Sequence, residues 1–150
     1  MSDTAPGADW TAFADALAAE LARLPEAGYL VLVEPGVADL HFVQFAQDVE
    51  ELRAETAGAV AAGPLPVRDE RLLTAVGWRP PPPGDYDTNW WQTLPWPATG
   101  EEYQRLAAAV VTALRDVQEV GSPAALTYRA WRTGGRPLEV TLPGIKPDQA

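Results

Sequence analysis

An α+β domain is predicted, in which an antiparallel sheet of three or more strands has an N-terminal helix and C-terminal helices packed against it. Three features of the 150-residue sequence predict it. An amphipathic helical stretch comes first, three short strand-like runs follow it with no helix between them, and a second strong helical pattern comes after. Consecutive strands flanked by segregated helices indicate α+β layers, since a parallel sheet needs a helical crossover between its strands.

Each element has a local signal. Trp10, Phe13, Ala14, Leu17, Leu21 and Leu24 recur at three- and four-residue intervals, with Asp9 placed to cap that helix and Pro25 to stop it. Residues 29–33, YLVLV, form a continuous apolar run of strand length. Pro35 and Gly36 make a turn, and residues 40–47, LHFVQFAQ, read as the second strand. In residues 51–57, Leu52, Ala54 and Thr56 alternate with Glu51, Arg53 and Glu55, which suits a strand with one wet face, although the alanine and glutamate content also suits a helix. RDERLLTAVGW reads as a short helix with Leu72, Leu73 and Val76 inward and Gly77 as its stop. At Thr99, TGEE matches a capping box and opens the strongest helix, whose stripe is Tyr103, Leu106, Ala107, Val110, Leu114 and Val117, ended by Gly121 and Pro123. Residues 124–131 alternate Leu126, Tyr128 and Ala130 as a strand would, while Ser122–Pro123 equally suits a helix start. One domain over residues 9–142 is expected, with flexible ends at 1–8 and 143–150.

Composition narrows the function. Hydrophobic residues make up 47% and charged residues 21%, a globular balance. No apolar run of membrane-spanning length and no secretion leader is seen, so a cytoplasmic location is expected. The absence of cysteine removes disulfides, thiolate metal sites and cysteine nucleophiles. With 21 acidic against 11 basic residues the formal charge is −10, which disfavours nucleic acid and anionic lipid and favours a basic or apolar protein segment. His41 is the one histidine and lacks companions for a metal site or triad; Glu50, Glu51 and Glu55 read as a solvated face; RTGGRP reads as a turn rather than a phosphate loop. No enzyme, metal or cofactor is predicted.

The remaining signal is aromatic. Residues 77–97 hold Trp78, Trp90, Trp91 and Trp96, four of six tryptophans. Pro80, Pro81, Pro82 and Pro83 form a stiff polyproline strap, and Asp85, Asp87 and Asn89 supply local turns. Adjacent tryptophans on an extended chain point to opposite faces, so one enters the core while the other looks elsewhere. Trp78, Tyr86, Asn89, Trp90, Trp91 and Trp96, with Phe42 and Phe45 of the second strand, are the candidate partner-binding residues. The expected function is non-enzymatic binding of a client peptide, with rings supplying pockets and an open sheet edge supplying main-chain pairing. The alternatives are an internal lid over the sheet, a homodimeric assembly protein with no client, and a small-ligand protein with an unrecognised site.

The order of motifs resembles the TY-Chap family, predicted secretion-chaperone-like proteins of actinobacteria related to YbjN and to the Tir-chaperone, CesT-like fold. The resemblance rests on DWTAFADALAAELARL with GYLVLVEP, HFVQFAQ with ELRAETAG, LLTAVGWRPP leading to NWWQTLPWP, and LAAAVVTALRDVQEVGSPAALTY, across roughly residues 9–131. It implies a helix packed on an antiparallel sheet, a peptide-binding role and a homodimer. The family's characteristic positions fall on Trp10, Phe42, Gln44, Phe45, Glu55, Gly77, Trp78, Asn89, Trp90 and Trp91. One departure is that the family often has asparagine just after the acidic third strand, where this chain reads Thr56, Ala57 and Gly58.

Overall fold

Strand alternation sets the architecture of the computed structural model, which describes residues 6–60, 63–81 and 89–148. β1 (Gly28–Val33), β2 (Phe42–Gln47) and β3 (Glu51–Thr56) form an antiparallel meander in which every second residue is buried. The short strands β4 (Ala59–Val60) and β5 (Gly63–Pro64) pair with each other and lead to helix α2 (Val67–Ala75). β6 (Trp90–Pro95) then returns along β3. Helix α3 (Gly100–Val111) continues as a π-helix over Thr112–Val117, and a 3-10 turn at Pro123–Ala125 delivers β7 (Thr127–Arg132) antiparallel to β1. With β8 (Arg136–Pro137) the order across the sheet is β6-β3-β2-β1-β7-β8, and β9 (Lys146–Pro147) lies parallel to β7.

Helix α1 (Pro6–Arg23) lies against α3, and their apolar stripes share one core with the inward strand residues Leu30, Leu32, Val43, Phe45 and Leu52. Inward burial resolves the strand-or-helix ambiguity of residues 51–57: Leu52, Ala54 and Thr56 are fully buried at period two, and that burial outweighs helix propensity. The capping box forms as the sequence indicates, with Glu102 N donating to Thr99 Oγ1 (3.1 Å) and Thr99 N to Glu102 Oε1 (3.0 Å). A buried polar chain joins the layers, in which Gln118 Nε2 donates to Thr56 Oγ1 (2.8 Å) and that hydroxyl donates to Phe42 O (2.8 Å).

Several expectations are corrected. α1 begins at Pro6, so Asp9 sits inside its first turn, where a carboxylate faces the helix N-terminal dipole rather than capping it. His41 lies just before β2 and meets Glu34 through Nδ1 (2.7 Å). The segment from Pro143, expected to fray, is docked: Ile145 is buried and Asp148 N donates to Tyr128 O (2.7 Å). That docking, with Leu138 N donating to Ala130 O (3.0 Å), covers the β7 edge. At the other edge Arg79 and Trp91 exchange backbone bonds of 2.8 and 3.0 Å, and beyond them β6 soon reaches Pro95, which has no N–H to offer. An open edge for strand addition, one part of the expected binding mode, is therefore reduced to the neighbourhood of Thr93.

Trp78 anchors the connection between α2 and β6. Gly77, at φ +98, turns the chain in a conformation that a side chain would strain, and the indole that follows is only 2% exposed. Its Nε1 donates to Ala109 O (3.1 Å) in the last α-turn before α3 widens into the π-helix. Trp78→Phe keeps most of the ring volume and removes that donor, so it should lower unfolding free energy by about 1–3 kcal/mol in urea titrations. Wild-type stability in that variant would mean the bond contributes nothing.

Candidate functional site

Period-two geometry gives the sheet a second face, and no helix contributes to the cavity that lies over it. Paired registers align its side chains in cross-strand rows. Trp91, Glu55, Gln44, Val31 and Arg129 make one row; Thr93, Arg53, Ala46, Tyr29 and Trp131 make the next. Arg129 is exposed and the others are half-buried, in contrast to the inward residues of β1, β2 and β3, which are all buried.

These side chains hold one another in place. Tyr29 and Trp131 stack with ring centroids 5.3 Å apart and planes 20° from parallel, and Arg129 lies over the Trp131 ring at 5.6 Å. Trp91 is approached by two guanidinium groups, Arg53 at 4.6 Å and Arg79 at 5.1 Å from the ring centroid. Aromatic pairs contribute about 0.5–1.5 kcal/mol beyond their area, and exposed cation–π contacts about 0.5–1 kcal/mol. Glu55 accepts from Arg53 Nε (2.8 Å), Asn89 Nδ2 (3.1 Å) and Gln44 Nε2 (3.3 Å), so one carboxylate ties β2, β3 and the entry to β6 together. Burial pushes that carboxyl up, but hydrogen bonds from Arg53 and Asn89, the Arg53 charge and the Gln44 bond outweigh it and hold Glu55 below its ordinary value.

Between the Tyr29–Trp131 stack and the Arg53–Glu55 pair lies a cavity of about 220 Å³ with Val31 and Ala46 in its lining. It is smaller than the roughly 300–1,000 Å³ of small-molecule sites and suits a side chain better than a cofactor. The face offers π-surfaces and hydrogen-bond donors, with no nucleophile–base pair among the described residues. Among the described residues no group of three or more His, Asp or Glu is placed to hold a metal ion.

A family model described as "T3SS (YopN, CesT) and YbjN peptide-binding chaperone 3" matches residues 3–132. The chain belongs to the TY-Chap3 family. No curated protein and no solved structure matches it. TY-Chap3 is a non-catalytic class, and the protein is a chaperone-like binding module whose clients are peptides or proteins. No described helix is long and apolar enough to cross a membrane.

Within this TY-Chap3 fold the sequence-derived site residues separate. Trp91 and Phe42 stand on the open face, and Asn89 reaches it through Glu55. Trp78, Trp90 and Phe45 are core residues, at 2%, 4% and 2% exposure, because each enters the helix-facing layer. Trp96 extends the β6 ladder by donating its N–H to Glu50 O (2.9 Å), about 17 Å along the strand from Trp91. Tyr86 lies outside the described residues. Tyr29, Trp131 and the three arginines were missed by sequence reasoning. Their signal was present: Leu126, Tyr128 and Ala130 pointing one way sends Arg129 and Trp131 the other.

Glu55→Gln tests the network. A carboxyl whose folded pKa is lowered contributes stability above its unfolded value, near the ordinary 4.5, and loses that contribution as pH falls through the folded value. Wild type should exceed Glu55→Gln by on the order of 1 kcal/mol in urea denaturation at neutral pH, with the gap closing as pH falls below the ordinary carboxylate range. A gap that stays constant with pH would contradict the arrangement.

Proposed function

We propose that the protein binds an extended segment of a client polypeptide across the open face of its sheet, with Trp91, Tyr29 and Trp131 as the platforms. One observation carries this reading. The sheet face turned away from the helices bears a Tyr–Trp stack and a tryptophan flanked by arginines, beside a cavity sized for a side chain. Tyrosine, tryptophan and arginine are the residue types enriched at binding hot spots. Of the positions singled out from sequence, Trp91, Asn89 and Phe42 serve this face. Contact by face rather than by edge also suits a sheet whose two edges are largely occupied.

A homodimer through the same face is the weaker reading. It would set Arg53, Arg79 and Arg129 of one copy against those of the other, and like charges in apposition oppose association. An address in the reducing cytoplasm fits a chain without cysteine.

An array of unrelated extended peptides, probed with tagged protein, tests the proposal. Wild type should bind a subset, and the Trp91→Ala, Trp131→Ala double variant, shown by circular dichroism to be folded, should lose most of that binding. Equal binding by the folded double variant would remove the open face as the site.

A further inference from the structure

The open face does not share the acidity of the chain. Around it stand Arg53, Arg79, Arg129 and Lys146 against Glu51, Glu55 and Asp148, on a protein whose formal charge is −10. Glu55 is already engaged by Arg53, Asn89 and Gln44. Arg79 and Arg129 have no ion-pair partner among the described residues and are exposed. Each nevertheless lies over a tryptophan, and a stacked planar guanidinium keeps its edge donors available for a carboxylate. All the chain's basic side chains except Lys146 are arginines, the type that recognises carboxylates with two parallel bonds.

Geometry then sets a spacing. Trp131 lines both the 220 Å³ cavity and a separate, more open one of about 630 Å³ at the β7 edge, whose lining includes Arg129, Leu138 and Pro147. The backbones of Arg129 on β7 and of Arg79, bridged to Trp91 outside β6, are separated by five strand spacings, roughly 24 Å, the span of about seven extended residues, with the Arg79 guanidinium folded back over Trp91. The apolar cavity lies between them.

Resting on the peptide-binding reading of this face, we infer that it selects extended acidic–apolar segments: a large apolar side chain in the Tyr29–Trp131–Arg53 cavity and carboxylates to either side for Arg129 and Arg79. The surface charge of the whole chain predicts a basic client, whereas the two exposed arginines without ion-pair partners at this face favour an acidic one. Overall acidity then acts at long range to turn away polyanions, while the arginines act at contact.

Three blocked peptides of sequence X-Ser-Thr-Thr-Phe-Thr-Thr-Ser-X, with X as Glu, Gln or Lys, separate the terms. Fluorescence anisotropy with the full chain should give the Glu peptide an affinity on the order of tenfold above the Gln peptide, since each exposed pair contributes a few-fold, with the Lys peptide weakest. Arg129→Glu, at an exposed residue with no ion pair to lose, should cut Glu-peptide affinity several-fold and raise that of the Lys peptide. Replacing Phe by Ala in the Glu peptide should abolish binding. Equal affinity for the Glu and Gln peptides, preference for Lys, or tighter binding of a single-stranded oligonucleotide of matched length would each overturn the inference. If the favoured Gln or Lys peptide is still lost in the Trp91→Ala, Trp131→Ala variant, the charge preference fails while the open-face reading stands. Binding of none of the three overturns the inference too, and the peptide array decides the face reading separately.

Discussion

A single layer of helices covers a sheet whose strands repeat every two residues, and the rest of the structure follows from that constraint. At Trp90–Trp91 the constraint is visible within two residues: one indole is sealed among the helices at 4% exposure, and its neighbour must stand on the other side. The same alternation sends Leu30 inward and Tyr29 outward, Ala54 inward and Arg53 outward, Ala130 inward and Trp131 outward. Among the described residues, no helix covers this second, aromatic face. That face is stabilised instead by ring stacking, cation–π contacts and one carboxylate shared among three donors.

On the proposed function, those contacts would bear on binding as well as on stability. Side chains held in place before a ligand arrives lose less conformational freedom when it does, which raises affinity without adding contact area. Arg53 illustrates the economy of the arrangement, since it bonds Glu55 and lies over Trp91 at once. Beneath the sheet, Trp78 bonded to α3 and the Gln118–Thr56–Phe42 chain fix the strands against the helices. The sheet is thereby bonded to the helices on its closed side and carries aromatic and charged side chains on its open one.

Much of the fold was legible in the sequence because its signals are local. Helical periodicity from Trp10, the alternation in ELRAET and the Thr99 capping box each depend on neighbours a few residues apart. The site was legible only in part. A cluster of tryptophans along the chain suggested a cluster in space, yet Trp78 and Trp90 went to the core and Trp96 to the far end of β6. The residues that do meet come from distant segments. Tyr29 and Trp131 stack only because β1 pairs with β7, with more than a hundred residues between them, and YLVLV, apolar at every position, gave no hint of which side faces out. The docked end at Ile145–Asp148 was illegible for the same reason, since its partner is β7 and not its own sequence.

The most direct test of the central claim uses the indole N–H resonances of the tryptophans in nitrogen-15 spectra. Titration with an equal mixture of the acidic, neutral and basic peptides makes the readout independent of charge preference. The account predicts that the Trp91 and Trp131 signals move together while Trp10, Trp78 and Trp90 stay fixed. Shifts confined to the buried indoles, or to Trp96 alone, would place the client elsewhere and contradict it.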